Sequence, residues 1–319
     1  MILNRGINLG GYLSQCMHTP EHYERFITLE DIKTIKAAGF DHVRVPVDYN
    51  VWETEEGEPK EEGYKLTDRL LDWCESVGLN AILDLHKAKG YDFNDANTDR
   101  NNLFSNPELS DRFVVLWGRI AERYGFRKNV AFELLNEVVE DKNVELWNAL
   151  IKRAVTAIRK YAPETIVIYG GIMWNNVEKL QFLEKPIDEN IVWTFHYYSP
   201  MPFTHQKARW VDTIDQNATT YYPDEKTGAT IDYPREVIKC GVEAAKKYGI
   251  KLYCGEFGVI DQAPVEDTLR WYQDTVKVFE EYGIACSPWT YKWMSFGLWD
   301  PHYAPIKKDI IKLLTGANV

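Results

Sequence analysis

Two glutamates carry the chemical signal in this chain. Val130-Ala-Phe-Glu-Leu-Leu-Asn-Glu137 is a nearly continuous apolar run that ends on a carboxamide and a carboxylate. Lys251-Leu-Tyr-Cys-Gly-Glu-Phe-Gly258 has the same construction and carries Glu256 near its end. Two carboxyl groups facing each other across a cleft suit glycosidic bond cleavage. One starts protonated to protonate the leaving oxygen; the other starts ionised, to attack or to activate water. Carboxyls about 5–5.5 Å apart retain anomeric configuration and those about 6.5–9.5 Å apart invert it. Sequence spacing does not choose between these. Read singly, each glutamate could equally be a rim residue in an ion pair.

Both runs have the apolar character of strands buried on two faces, as in parallel sheets, and parallel barrels carry their chemistry at the C-terminal strand ends. The rest of the chain repeats this unit. Strands are expected at residues 2–9, 42–48, 80–86, 130–137, 165–171, 191–198, 252–258 and 285–291. Between them apolar residues return at helical spacing. Leu29, Ile32 and Ile35 follow a Thr28–Asp31 capping box; Leu66, Leu70, Trp73 and Val77 form a second stripe; Leu146, Leu150, Ala154 and Ile158 form another. Residues 107–124, 235–248, 265–282 and 306–314 complete the helices. The alternation predicts an α/β fold, a single (β/α)8 TIM barrel over residues 1–319. Two long connections, 87–106 and 199–234, border its mouth. The second, with Phe203, His205, Trp210, Tyr221, Tyr222 and Tyr233, reads as an aromatic-rich insertion after strand six that covers the site.

Arg44, Asp84, His86, Asn136, Glu137, His196, Tyr198, Glu256 and Trp289 fall at expected strand ends, which makes the barrel mouth the candidate site. Asp84 is left outside the reacting set, since its side chain can brace the barrel interior. There is no Walker loop, G-x-G-x-x-G or G-x-S-x-G, so neither a nucleotide cofactor nor a serine nucleophile is indicated. Cys16, Cys74, Cys240, Cys254 and Cys286 are odd in number and scattered, which argues against a disulfide framework or structural zinc. Three of them, Cys74, Cys254 and Cys286, lie in apolar runs and read as core. A net charge of −11 argues against nucleic acid and anionic membranes as partners. No run is long and apolar enough to span a bilayer. The first residues lack a signal peptide's basic start and apolar stretch, leaving a cytoplasmic protein or a secreted one whose signal was removed. A monomer is expected. Eleven Trp and 19 Tyr supply flat faces for stacking on sugar rings, and Trp52, Trp174, Trp210, Trp293 and Trp299 are candidate platforms or packing residues.

The segments Gly6-Ile-Asn-Leu-Gly-Gly11, Phe40-Asp-His-Val-Arg-Val-Pro46, Phe132-Glu-Leu-Leu-Asn136, Phe203-Thr-His-Gln-Lys-Ala208 and Leu252-Tyr-Cys-Gly-Glu-Phe-Gly-Val259, with Trp289, carry a resemblance over almost the whole chain. The chain resembles glycoside hydrolase family five, within the clan of retaining barrel hydrolases. The resemblance implies Glu137 as acid/base and Glu256 as nucleophile. It further implies that Asn136 hydrogen-bonds the sugar 2-hydroxyl, Arg44 holds the nucleophile ionised and Tyr198 orients it. His86 and His196 would contact substrate and tune the carboxyls, and Trp289 would lie beneath the sugar. Lys87 departs from the family's pattern, in which a second histidine follows His86. The implied activity is endo-cleavage of β-1,4-glucan without metal or other cofactor, the partner being a β-linked polysaccharide or oligosaccharide. A β-mannanase or a broad-specificity enzyme is the alternative within the family. Outside it stand a metal-dependent barrel enzyme using His86, Glu137, His196 and Glu256 as ligands, and a non-catalytic carbohydrate binder.

Overall fold

The computed structural model describes residues 1–317. Eight strands run parallel and pair in chain order: β1 (Gly6–Asn8), β2 (His42–Asp48), β3 (Asn80–Lys87), β4 (Val130–Glu133), β5 (Val167–Gly170), β6 (Ile191–Tyr197), β7 (Lys251–Phe257) and β8 (Ala285–Cys286). A parallel bridge between Arg5 and Cys286 closes the ring, supported by Cys286 N donating to Asn4 O at 2.9 Å and Asn8 N to Pro288 O at 3.1 Å. Helices Leu29–Ala37, Glu61–Ser76, Pro107–Tyr124, Val144–Arg159, Tyr233–Tyr248, Val265–Tyr282 and Lys307–Thr315 pack outside. Among the described residues no helix is long and apolar enough to cross a membrane.

Several strands stop earlier than their apolar runs. β4 leaves the ladder after Glu133, so Asn136 and Glu137 stand beyond the sheet, although Asn136 N still donates to Leu85 O at 3.0 Å. β8 is two residues long instead of seven, because Pro288 has no N–H to continue a ladder. β1 and β5 are likewise trimmed at both ends. The connection from β5 to β6 holds a 3-10 helix, Val177–Phe182, in place of a long α-helix.

The Thr28–Asp31 capping box forms as expected, and in two helices the buried face is shifted from the expected stripe while keeping Leu70 in one and Leu150, Ala154 and Ile158 in the other. Helix Glu61–Ser76 buries Gly63, Tyr64, Thr67, Leu70, Leu71 and Cys74, leaving Leu66, Trp73 and Val77 at its margin. Gly63 lies so close to Val51 that a Cβ would meet the Val51 carbonyl oxygen at 1.6 Å, and Trp52 Nε1 donates to Thr67 at 2.9 Å. These contacts set the rotation. In helix Val144–Arg159, Trp147 points inward and donates to Gly170 O at 2.9 Å, while Leu146 is exposed. Residues 199–234 hold a short helix, Met201–Thr204, a 3-10 turn, Glu225–Thr227, and the start of helix Tyr233–Tyr248, the chain between being irregular and anchored by buried Phe203, Ala208 and Tyr222.

At the end of β5, Gly170 leaves room for the loop that follows: a Cβ there would lie 2.1 Å from Asn175 Oδ1 and 2.8 Å from Thr194 O. Both neighbours are buried, so neither has space to yield. Gly170→Ala is expected to lower stability by about 1–3 kcal/mol through overpacking. The measurement is an earlier urea midpoint at unchanged slope.

Candidate active site

The site is built on Arg44 in β2, a fully buried guanidinium. Its Nε donates to Glu133 Oε2 at 2.7 Å and Nη2 to Glu133 Oε1 at 3.0 Å. Nη1 reaches Glu256 Oε1 at 2.7 Å and Asn8 Oδ1 at 3.0 Å, and Nη2 reaches Asn136 Oδ1 at 2.8 Å. An arginine has five N–H donors, and these five bonds use all of them. Asp84 Oδ2 lies a further 3.0 Å from Nη2. Because Asn136 turns its oxygen to the arginine, its amide nitrogen is the half left to donate to a ligand.

Glu256 accepts from Tyr198 OH at 3.0 Å on Oε2 and from Arg44 on Oε1. Glu137 has no such cation. Its Oε1 meets His196 Nδ1 at 2.7 Å, and its side chain is only 12% exposed. Burial pushes its carboxyl up to about 7, opposed by His86 and the charge of Arg44 and reinforced by Glu133. His86 Nε2 accepts from Gln15 Nε2 at 3.1 Å and its Nδ1 donates to Asp84 Oδ2 at 2.7 Å, while its ring stacks against Trp289 at 5.7 Å and 6°. Burial pulls both His86 and His196 down to about 4, leaving the rings neutral at pH 7, and pushes Asp84 up to about 7.

All eight residues singled out from the sequence thus meet at one end of the barrel, with Trp289 joined to the others through His86. A ligand atom from each of Glu137, His196 and Glu256 lies within 4.8 Å of the other two. The nearest oxygens of the two carboxyls are thus within 4.8 Å, close enough for both groups to act on one glycosidic bond. His86, expected as a fourth ligand in a metal-site reading, stands outside this group.

Residues 6–295 match the model of the family described as Cellulase (glycosyl hydrolase family 5). The chain belongs to glycosyl hydrolase family 5. Cellodextrinase A of Ruminococcus flavefaciens is 40% identical over 294 residues, covering 91% of this chain and 86% of that one. Endoglucanase C of Acetivibrio thermocellus is 38% identical over 335 residues, covering 97% of each. Thermotoga maritima Cel5A, solved with cellobiose, superposes with a TM-score of 0.81 at 27% identity over 98% of this chain and 97% of that one. The same enzyme solved with mannotriose gives 0.80.

Within this family 5 barrel the candidate platforms separate by exposure. Trp52 is buried and bonded to Thr67, and Trp299 packs against Tyr291 and Phe40, so both are packing residues. Trp174, Trp210 and Trp293 are exposed. Trp174 N donates to Val138 O at 3.1 Å, beside Glu137. Trp210 borders His205, which touches Tyr198 at 4.9 Å between ring centres. Lys87 pairs with Asp92 at 2.6 Å over the Phe93 ring.

Four residues of the site escaped sequence reasoning: Asn8, Gln15, Glu133 and Asn175. Glu133 left a usable signal, since a charge inside an apolar strand must be paired. Removing it strands two buried N–H donors of Arg44. Glu133→Ala is expected to cost about 3–5 kcal/mol, and Glu133→Gln, which keeps one acceptor, less. Equilibrium unfolding measures both, and an unchanged midpoint in Glu133→Ala would mean that Arg44 does not depend on it.

Proposed function

We propose that this chain is a retaining endo-β-1,4-glucanase in which Glu256 is the nucleophile and Glu137 the acid/base. The observation that carries the reading is the contrast between two carboxyls held within 4.8 Å. One is bonded as a carboxylate by a guanidinium and a phenol; the other is desolvated without a paired cation and holds its proton to about pH 7. Such opposed environments separate acid from nucleophile.

In the first step Glu256 attacks the anomeric carbon while Glu137 gives its proton to the leaving glycosidic oxygen. The glycosidic bond breaks and a glycosyl ester forms on Glu256. Esterification removes the negative charge of Glu256 beside Glu137, which favours the carboxylate of Glu137 for the second step. That carboxylate takes a proton from water, the water oxygen attacks the anomeric carbon, and the ester bond to Glu256 breaks with retention. Arg44 and Tyr198 hold Glu256 throughout, and Asn136 is placed to donate to the 2-hydroxyl. Trp289, with the exposed Trp174, Trp210 and Trp293, offers stacking faces along the cleft.

A second reading, cleavage of mannan, is favoured by the solved mannotriose complex of the Thermotoga neighbour. Mannose and glucose differ in the 2-hydroxyl, axial in one and equatorial in the other, so Asn136 and the chain around Trp174 would carry the discrimination.

Hydrolysis of carboxymethyl cellulose, barley β-glucan, glucomannan and xylan, with chelator present, tests these readings. The wild type is expected to cut the glucans internally. Glu137→Gln and Glu256→Gln should each lose at least ~10²-fold in kcat on polymer. Mannan as the preferred substrate would overturn the glucan assignment, and loss of activity on chelation would overturn the metal-independent mechanism. A pH series adds a further check. Because Glu137 must start protonated, kcat/KM should fall as pH rises through about 7, and this alkaline limb should vanish in Glu137→Gln.

A further inference from the structure

The loop after β5 contains three consecutive residues with left-handed backbone, Met173, Trp174 and Asn175, at φ 55, 57 and 52°. None is glycine, and for Met173 and Trp174 this conformation is sterically disfavoured. Strain of this kind persists where surrounding structure enforces it, commonly at functional sites. The last of the three, Asn175, is almost wholly buried, and its amide nitrogen meets two partners. One is the backbone carbonyl oxygen of Asn136; the other is His196 Nε2, at 3.3 Å.

These two contacts determine a proton position. A carbonyl oxygen only accepts, so the group facing Asn136 O must be the NH2 of Asn175, which settles the orientation of the amide. The same NH2 offers its second hydrogen to His196. Nε2 must therefore be the lone-pair nitrogen of the ring. A neutral imidazole carries one N–H, and burial among Glu256, Arg44, Glu133 and His86 leaves this ring neutral. Its hydrogen is then on Nδ1, which lies 2.7 Å from Glu137 Oε1 and 3.6 Å from Glu256 Oε2. With Oε1 of Glu137 occupied as an acceptor, the acid proton must reside on Oε2.

We propose that Asn175 is a positioning residue that locks His196 in its Nδ1–H form, reserving Oε2 of Glu137 for the proton given to the leaving group. The proposal rests on the acid/base assignment of Glu137. The same N–H stabilises the Glu137 carboxylate once its proton has gone. The strained turn is what carries the amide to this place, and Gly170 keeps space open for it. The charged and titratable groups facing the ring are Glu137, Glu256, Arg44, Glu133 and His86, with the Tyr198 phenol close to Glu256. The arrangement also bears on metal binding, since Nδ1 could become a ligand only by losing this hydrogen.

Long-range 1H–15N NMR of protein labelled at histidine nitrogen reads the tautomer directly, with His196→Gln used to assign the signals. The wild type should show His196 protonated at Nδ1 and not at Nε2. Asn175→Asp has the same size but only accepts, so it should draw the hydrogen to Nε2 and lower kcat at least ~tenfold, with KM little changed. The lost donor and the added negative charge both disfavour the Glu137 carboxylate, so the alkaline limb should move to higher pH. Asn175→Gly, whose backbone tolerates the turn, should give mixed tautomers and an intermediate rate. It serves as the second variant if the aspartate does not fold. A wild-type ring protonated at Nε2, or an Asn175→Asp protein with unchanged tautomer and pH profile, would overturn the proposal. A wild type with the Nδ1–H ring that cleaves no glucan would support the tautomer assignment and refute the glucanase reading instead.

Discussion

Everything at the mouth of this barrel depends on one fully buried guanidinium. Arg44 of β2 bonds Asn8 of β1, Glu133 of β4, Glu256 of β7 and Asn136 just past β4, with Asp84 of β3 alongside. Glu133 grips it at two nitrogens, so the planar fork has a single orientation in which Nη1 aims at Glu256 and Nη2 at Asn136. Buried ion pairs contribute little net stability because desolvation offsets attraction. Their value here is geometric: Glu256 and Asn136 are both referenced to one rigid group.

That arrangement creates an excess of negative charge. One guanidinium faces three carboxylates, Asp84, Glu133 and Glu256, with Glu137 nearby. Burial pushes Asp84 to about 7, Glu133 upward and Glu137 to about 7. The excess is met by carboxyls that hold protons longer than they would in water. Two glutamates thereby stand side by side in opposed environments, one bonded to a guanidinium and a phenol, the other desolvated without a paired cation. The neutral histidines belong to the same balance: burial keeps His86 and His196 uncharged, so they act as directional hydrogen-bonding groups and add no positive charge.

The loops divide the remaining work. The chain after β5 accepts backbone strain to bring Asn175 under His196 and to expose Trp174. The segment after β6 is anchored by Phe203 and Tyr222 while presenting Trp210 and Tyr221 to solvent. Strand ends hold the buried polar cluster on a stiff frame, and the loops present exposed aromatic faces beside it.

By itself the sequence determined the barrel, the two facing glutamates as a candidate pair and most of the groups that surround them. Apolar runs of strand length separated by helical stripes leave few topologies, and a polar residue ending such a run has to stand at the rim. The clustering of His86, Asn136, Glu137, His196, Tyr198, Glu256 and Trp289 was legible for that reason, whereas Arg44 reaches them from inside β2, as a charge in an apolar strand that must be paired. Tertiary structure alone decided which helix face turned inward, since Gly63 against Val51 and Trp147 against Gly170 are contacts between distant segments. It also decided which tryptophans were core, as Trp52 is, and which were free, as Trp174 is. The grip of Glu133 on Arg44 and of Asn175 on His196 belongs to the same class. Hydrophobic periodicity is a local property of the chain, whereas hydrogen-bond partnership and side-chain orientation depend on residues brought together only when the barrel closes.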